Sequence, residues 1–178
     1  MRRRPASRAI AALLWAGLAL AHSPAPALAQ ADPSWLTADT AGHAVTLQLL
    51  AGMNGQNSGM NFNGFANGGL TVKVPAGWRI ITEFRNKDRG QNHGFDLVKF
   101  TQPVPAAYGA LAAPEAFTDT LNAGLPPGKS KTVSFTAPPA GRYIIRCTAG
   151  GHATLGMWIL LEVDNSLTQP ALVPTKGK

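Results

Sequence analysis

Between positions 44 and 163 the chain reads as short runs of alternating apolar and polar residues, broken by Gly, Pro and Asn. Ala44 to Leu50 (AVTLQLL) sets Val45 and Leu47 against Ala44, Thr46 and Gln48, the two-residue period of a half-buried strand. Leu70 to Val74 alternates again, and Pro75-Ala76-Gly77 turns the chain. In the next run Trp78, Ile80, Thr82 and Phe84 share one face, with Arg79, Ile81, Glu83 and Arg85 on the other. His93 to Phe100, Lys129 to Ala137, Arg142 to Cys147 and Met157 to Val163 complete the series. Short strands with turn signals between them, and no sustained helical period, predict an all-β sandwich.

The remaining segments are less regular. Ala51 to Gly69 is a long loop rich in Gly and Asn, and Asn86 to Gln91 is a charged turn. Pro103 to Leu125 carries breakers at Pro103, Pro105 and Pro114; a short helix over 114–122, with Pro in its first turn, is predicted there. Residues 30–43 form a polar segment with Trp35 as its anchor, 44–164 the domain, and 165–178 a polar C-terminal tail without an anchor.

The first 29 residues stand apart. Arg2, Arg3, Arg4 and Arg8 precede an apolar run from Ala9 to Ala21, which is short for a membrane span. Ala27-Leu28-Ala29 then gives the small-x-small end of a secretory signal peptide, with cleavage expected after Ala29 and an extracytoplasmic, periplasmic destination. An uncleaved membrane anchor is the less favoured alternative. Charge changes accordingly. The whole chain is +7, but four of its sixteen Lys+Arg and none of its nine acids lie in the leader, leaving twelve against nine, a net of +3. So small an excess, with no basic run interleaved with aromatics, argues against nucleic-acid binding.

Cys147 is the single cysteine, so no internal disulfide forms, and a lone thiol in an oxidising compartment calls for something to occupy it. The stretch Cys147-Thr148-Ala149-Gly150-Gly151-His152-Ala153-Thr154-Leu155-Gly156-Met157 has the spacing C-x4-H-x4-M and lies between two predicted strands. Taken singly, Met157 reads as core, His152 as a loop histidine and Cys147 as a small buried hydrophobe. Together, in one inter-strand loop, they supply a thiolate, an imidazole and a weak thioether. A second histidine completes the trigonal plane of two imidazoles and one thiolate, with a long axial Met, that characterises blue copper sites. His93, where the charged turn meets a strand, is the candidate; His43 has no comparable neighbours. The predicted metal ligands are therefore His93, Cys147, His152 and Met157, holding one copper.

Rival chemistries fit less well. Structural zinc rarely uses Met, and a Cys/His nucleophile needs an oxyanion site that nothing here marks. The set leaves no position for substrate, which points to a carrier and not an enzyme. Met53 and Met60 read as apolar plugs in their loop rather than as a second copper site.

The chain resembles sulfocyanin, and more loosely rusticyanin, among the cupredoxins. The resemblance rests on Asn61-Phe62-Asn63-Gly64, Val74-Pro75-Ala76-Gly77-Trp78, Asn92-His93-Gly94-Phe95, Gly141 through Cys147, Gly151-His152-Ala153 and Gly156-Met157-Trp158, in family order. It implies a Greek-key β-sandwich, a type 1 copper on His93, Cys147, His152 and Met157, and a single-electron carrier serving a respiratory chain. The family commonly has Asn or Ser after the first His; here that residue is Gly94, with Asn92 or Gln91 as candidates for its bracing role. A monomer is expected, docking redox protein partners at the tip near His152, beside Ala149, Gly150, Ala153 and Leu155. A copper-handling protein, chaperone or storage, is the alternative function.

Overall fold

The computed structural model describes residues 30–105, 110–118 and 123–175, and within these the chain forms two β-sheets. The strands are β1 (Leu36–Asp39), β2 (Ala44–Ala51), β3 (Leu70–Pro75), β4 (Arg79–Asn86), β5 (Asp96–Lys99), β6 (Ser130–Thr136), β7 (Gly141–Arg146), β8 (Trp158–Asp164) and β9 (Ala171–Pro174). One sheet runs β1-β2-β4-β6, the other β5-β7-β8-β3-β9. The pairs β2–β4 and β3–β8 are parallel and the other pairs antiparallel, a mixed Greek-key sandwich. The predicted signal peptide, residues 1–29, lies outside the described residues, and among the described residues no helix is long and apolar enough to cross a membrane.

The alternation seen in sequence sets which face is buried. Val45, Leu47, Leu49 and Ala51 of β2, and Ile80, Thr82 and Phe84 of β4, point into the core, while Arg79, Glu83 and Arg85 stay exposed. Strands β7 and β8 sit centrally in their sheet and read as nearly continuous apolar runs, with Ile144, Ile145, Ile159 and Leu161 all buried. Phe84, on one sheet, meets Phe95, just ahead of β5, with ring centroids 6.0 Å apart. This contact locks the first sheet against the end of the sandwich where β5 begins.

Two expectations are corrected. The 165–178 segment is not a free tail, because Ala171–Pro174 adds to the edge of β3, with Thr71 opposite Val173. Its four residues are all half-buried, so no alternation marks it. The helix expected over 114–122 is absent from its described part: Pro114 and Glu115 form a turn, and Phe117 bridges Asp96. Residues 119–122 lie outside the described residues. Upstream, Trp35 is buried as anticipated, and Leu36–Asp39 beside it pairs with β2.

The long loop 52–69 is held by asparagines. Asn61 donates to the carbonyls of Asn54 and Gln56 and accepts from Gly64 N–H. Asn63 accepts from Leu50 N–H and donates to Gln48 O. Both are buried, so these bonds replace the water their amides lose.

Candidate metal centre

Three strands deliver the predicted ligands to one end of the second sheet. Asp96 of β5 pairs with Arg146 of β7, and Arg146 with Trp158 of β8. His93 lies three residues before Asp96, Cys147 one after Arg146, and Met157 one before Trp158. Antiparallel register therefore stacks all of these positions at the same edge.

The Cys147–Met157 loop closes on itself through backbone bonds. Cys147 N–H donates to Met157 O, His152 N–H to Ala149 O and Met157 N–H to His152 O, at 3.0, 3.2 and 2.9 Å. The asparagine loop buttresses it: Asn57 Nδ2 donates to Leu155 O, Asn67 N–H to Gly156 O and Gly68 N–H to Trp158 O. Gly156 has φ +95°, and a Cβ there would lie 2.4 Å from Asn67 Oδ1, so only glycine lets the two loops close.

Within this frame the donor atoms of His93, Cys147 and His152 all lie within 4.8 Å of one another. Cys147 Sγ is 3.7 Å from His93 Nδ1 and 3.6 Å from His152 Nδ1, and the two nitrogens are 3.3 Å apart. His93 and Cys147 are buried, and His152 is half-buried. Met157, fully buried, joins the core beside Cys147 through the backbone bond already described. His43 stands apart from the cluster and stacks on Trp78 at 5.7 Å. Met53 and Met60 pack half-buried against the core.

The protonation states suit a metal. Burial pushes the Cys147 thiol up to about 11, against the opposing pull of Gly94 and Ala149 N–H bonds to its sulfur, with the Asp96 charge adding to the rise. Burial holds His93 below its ordinary value, partly countered by the Asp88 carboxylate. Burial and the neighbouring His93 do the same to His152, again opposed by Asp88. Two imidazoles, neutral at neutral pH, thus bring their Nδ1 atoms to one point beside the Cys147 sulfur. Two nitrogens and one thiolate, closed off by protein, fit a single type 1 copper.

Sequence reasoning missed the groups that hold this trio. Asp88 Oδ2 lies 3.2 Å from His93 Nε2, on the side of the ring away from Cys147. Its Oδ1 accepts from Gly90 and Gln91 N–H, and Asn86, fully buried, donates to the carbonyls of Gln91 and Leu125. The Asn-x-Asp-x-Gly run at Asn86 to Gly90 is the signal that marks such a side-chain-capped turn. The bracing expected of Asn92 or Gln91 is not done by their side chains, which are exposed. The space over Gly94 is filled by threonines: a Cβ there would lie 2.4 Å from Thr148 Oγ1 and 2.6 Å from Thr118 Oγ1. Thr118 Oγ1 in turn accepts from Phe95 N–H.

Comparison with known proteins agrees with this architecture. Sulfocyanin of Sulfolobus acidocaldarius is 30% identical over 121 residues, covering 64% of this chain and 60% of the relative. Rusticyanin of Acidithiobacillus ferrooxidans is 32% identical over 91 residues, 49% of this chain and 46% of the relative. The chain thus spans between about half and three-fifths of the curated relatives it matches. Among solved structures, dithionite-reduced auracyanin from Roseiflexus castenholzii superposes with a TM-score of 0.50 at 25% identity, over 67% of this chain and 96% of that one. Residues 33–174, nearly all of the described sandwich, match the Sulfocyanin (SoxE) domain, and the chain belongs to that family of cupredoxins.

Proposed function

We propose that the protein is an extracytoplasmic single-electron carrier, with one type 1 copper that His93, Cys147 and His152 would hold and the weakly donating Met157 thioether would tune. The observation that carries this reading is the convergence of three donor atoms within 4.8 Å in a loop braced from two sides. When bound, copper would supply a one-electron couple, with two nitrogens and one sulfur serving both oxidation states. The protein's part is rigidity. His93 is fixed by its buried position and Asp88, Cys147 by two backbone N–H groups, and His152 by its backbone bond to Ala149. A site that cannot rearrange keeps the two states alike, so electron exchange needs little reorganisation.

His152 is the least buried of the three ligands and is the electron exit in this reading. Leu155, 58% exposed, stands close by in the same loop and is the large exposed hydrophobe among the described residues. Such an apolar tip suits brief, weak docking of a monomer to respiratory redox partners. The basic, apolar leader ending at Ala29 supports export with cleavage after that residue.

The test is the visible spectrum of the copper-loaded mature protein, together with the rate of self-exchange between oxidised and reduced forms. An intense thiolate-to-copper band with fast exchange is expected. A colourless protein that surrenders Cu(I) rapidly to a chelator overturns the carrier in favour of copper handling.

A further inference from the structure

We infer that Asp88 is a positioning residue for the metal centre: its carboxylate fixes His93 in the tautomer that leaves Nδ1 free to bind the metal and sets the copper potential downward. This rests on the proposed function only in its second half, because the tautomer is a property of the metal-free protein.

An imidazole has two nitrogens, and in the neutral ring one carries the proton. Nδ1 of His93 faces Cys147 Sγ and His152 Nδ1, whereas Nε2 faces Asp88 Oδ2 at 3.2 Å. A carboxylate accepts and does not donate, so it selects the ring with hydrogen on Nε2. That tautomer presents the Nδ1 lone pair to the other two donors. Its opposite would place a proton in the middle of the donor set.

Asp88 is itself immobilised. Oδ1 is occupied by the N–H groups of Gly90 and Gln91, and its own N–H donates to Asn86 Oδ1. Asn86 pins the same turn to Leu125, whose backbone pairs with that of His93. The carbons of Asp88 also fill the space over Gly52, where a Cβ would come within 2.7 Å of Asp88 Cβ. The carboxylate therefore has one free oxygen, and it points at the ring. Groups that donate from their second nitrogen to a fixed carboxylate become better electron donors to the metal, and losing such a partner lowers metal affinity about 10–100-fold. The added donation favours the more highly charged Cu(II), so the potential falls.

Two measurements test this. The first is the nitrogen chemical shifts of His93 in metal-free wild type, with hydrogen expected on Nε2; hydrogen on Nδ1 overturns the inference without reference to any variant. The second compares Asp88→Asn, which keeps the turn-capping oxygen but offers no charge, and Asp88→Glu with wild type. Asp88→Asn is expected to bind Cu(II) at least tenfold more weakly while holding Cu(I) nearly as well. Tenfold corresponds to a potential about 59 mV higher. Asp88→Glu is expected to restore part of the shift. Equal potentials and equal His93 shifts in wild type and Asp88→Asn mean that Asp88 only shapes its loop. Should the protein bind no blue copper, the carrier reading fails while the tautomer measurement still decides the role of Asp88.

Discussion

Asp96 and Arg146 form a buried, two-pronged ion pair one residue from Cys147, with Nε to Oδ1 at 2.8 Å and Nη2 to Oδ2 at 2.9 Å. The two residues are also register partners across β5 and β7, so the pair fixes the strand alignment that brings His93 to Cys147. Removing one partner strands a buried charge, so Asp96→Ala is expected to destabilise the metal-free protein by about 3–5 kcal/mol in urea unfolding. The double change Asp96→Leu/Arg146→Met should recover much of that loss. Wild-type stability in Asp96→Ala would show that the pair only decorates a register already set by packing.

Copper uptake is expected to release one proton per metal at neutral pH. The histidines are held below their ordinary value of 6.5, so the Cys147 thiol, at about 11, carries the proton that must leave. Titration calorimetry in buffers of different ionisation enthalpy measures this number, and three protons, or none, would contradict the assignment.

The same shifts set the acid and alkaline limits of the metal-free fold. A thiol raised from 9.0 to about 11 contributes stability that is whole below pH 9 and is lost as pH rises to about 11. Two units correspond to about 3 kcal/mol. The histidine contribution has the opposite sense: whole above pH 6.5, it falls away in acid as the unfolded chain takes up protons. Unfolding curves of wild type and Cys147→Ser should diverge between pH 9 and 11 and run parallel below.

Met157→Leu conserves volume and should cost under about 1.5 kcal/mol of stability. As the proposed axial donor, its loss should raise the copper potential, and Met157→Gln, with a better oxygen donor, should lower it. Voltammetry showing neither change would make Met157 core packing alone.

Leu155→Glu should slow self-exchange and leave the absorption spectrum intact, because it alters the exposed tip and no ligand. Exchange as fast as wild type would move the electron exit away from His152.

Strands that bury one face were legible because their side chains alternate; β2 and β4 are the clearest cases. Strands β1 and β9 were not, because edge strands held by backbone pairing leave little side-chain pattern: Leu36–Asp39 is mostly exposed and Ala171–Pro174 is evenly half-buried. The convergence of His93, Cys147 and His152 was legible from spacing, since one loop carries two of them and the third follows a turn. Asp88 escaped notice because a charged residue in a charged turn looks solvated; its burial against the His93 ring depends on Asn86 and on a long-range contact with Gly52. The threonines over Gly94 escaped for a related reason, as Thr118 is 24 positions distant in the chain.

The parallel pairing of β3 with β8 has a kinetic consequence. Thr71 must find Leu160, and the connection between them is most of the domain. Closing so long a loop precedes the contacts that reward it, which places folding of such sandwiches in milliseconds to seconds rather than microseconds. Until that step is complete, β8 has β7 as its one neighbour, and the loop that carries Cys147 lacks its buttress from residues 57–68. In that interval the chain's one thiol is less shielded from oxidants than in the folded state, where it is buried. The yield of functional protein in an oxidising compartment is then set by a race between strand pairing and sulfur chemistry.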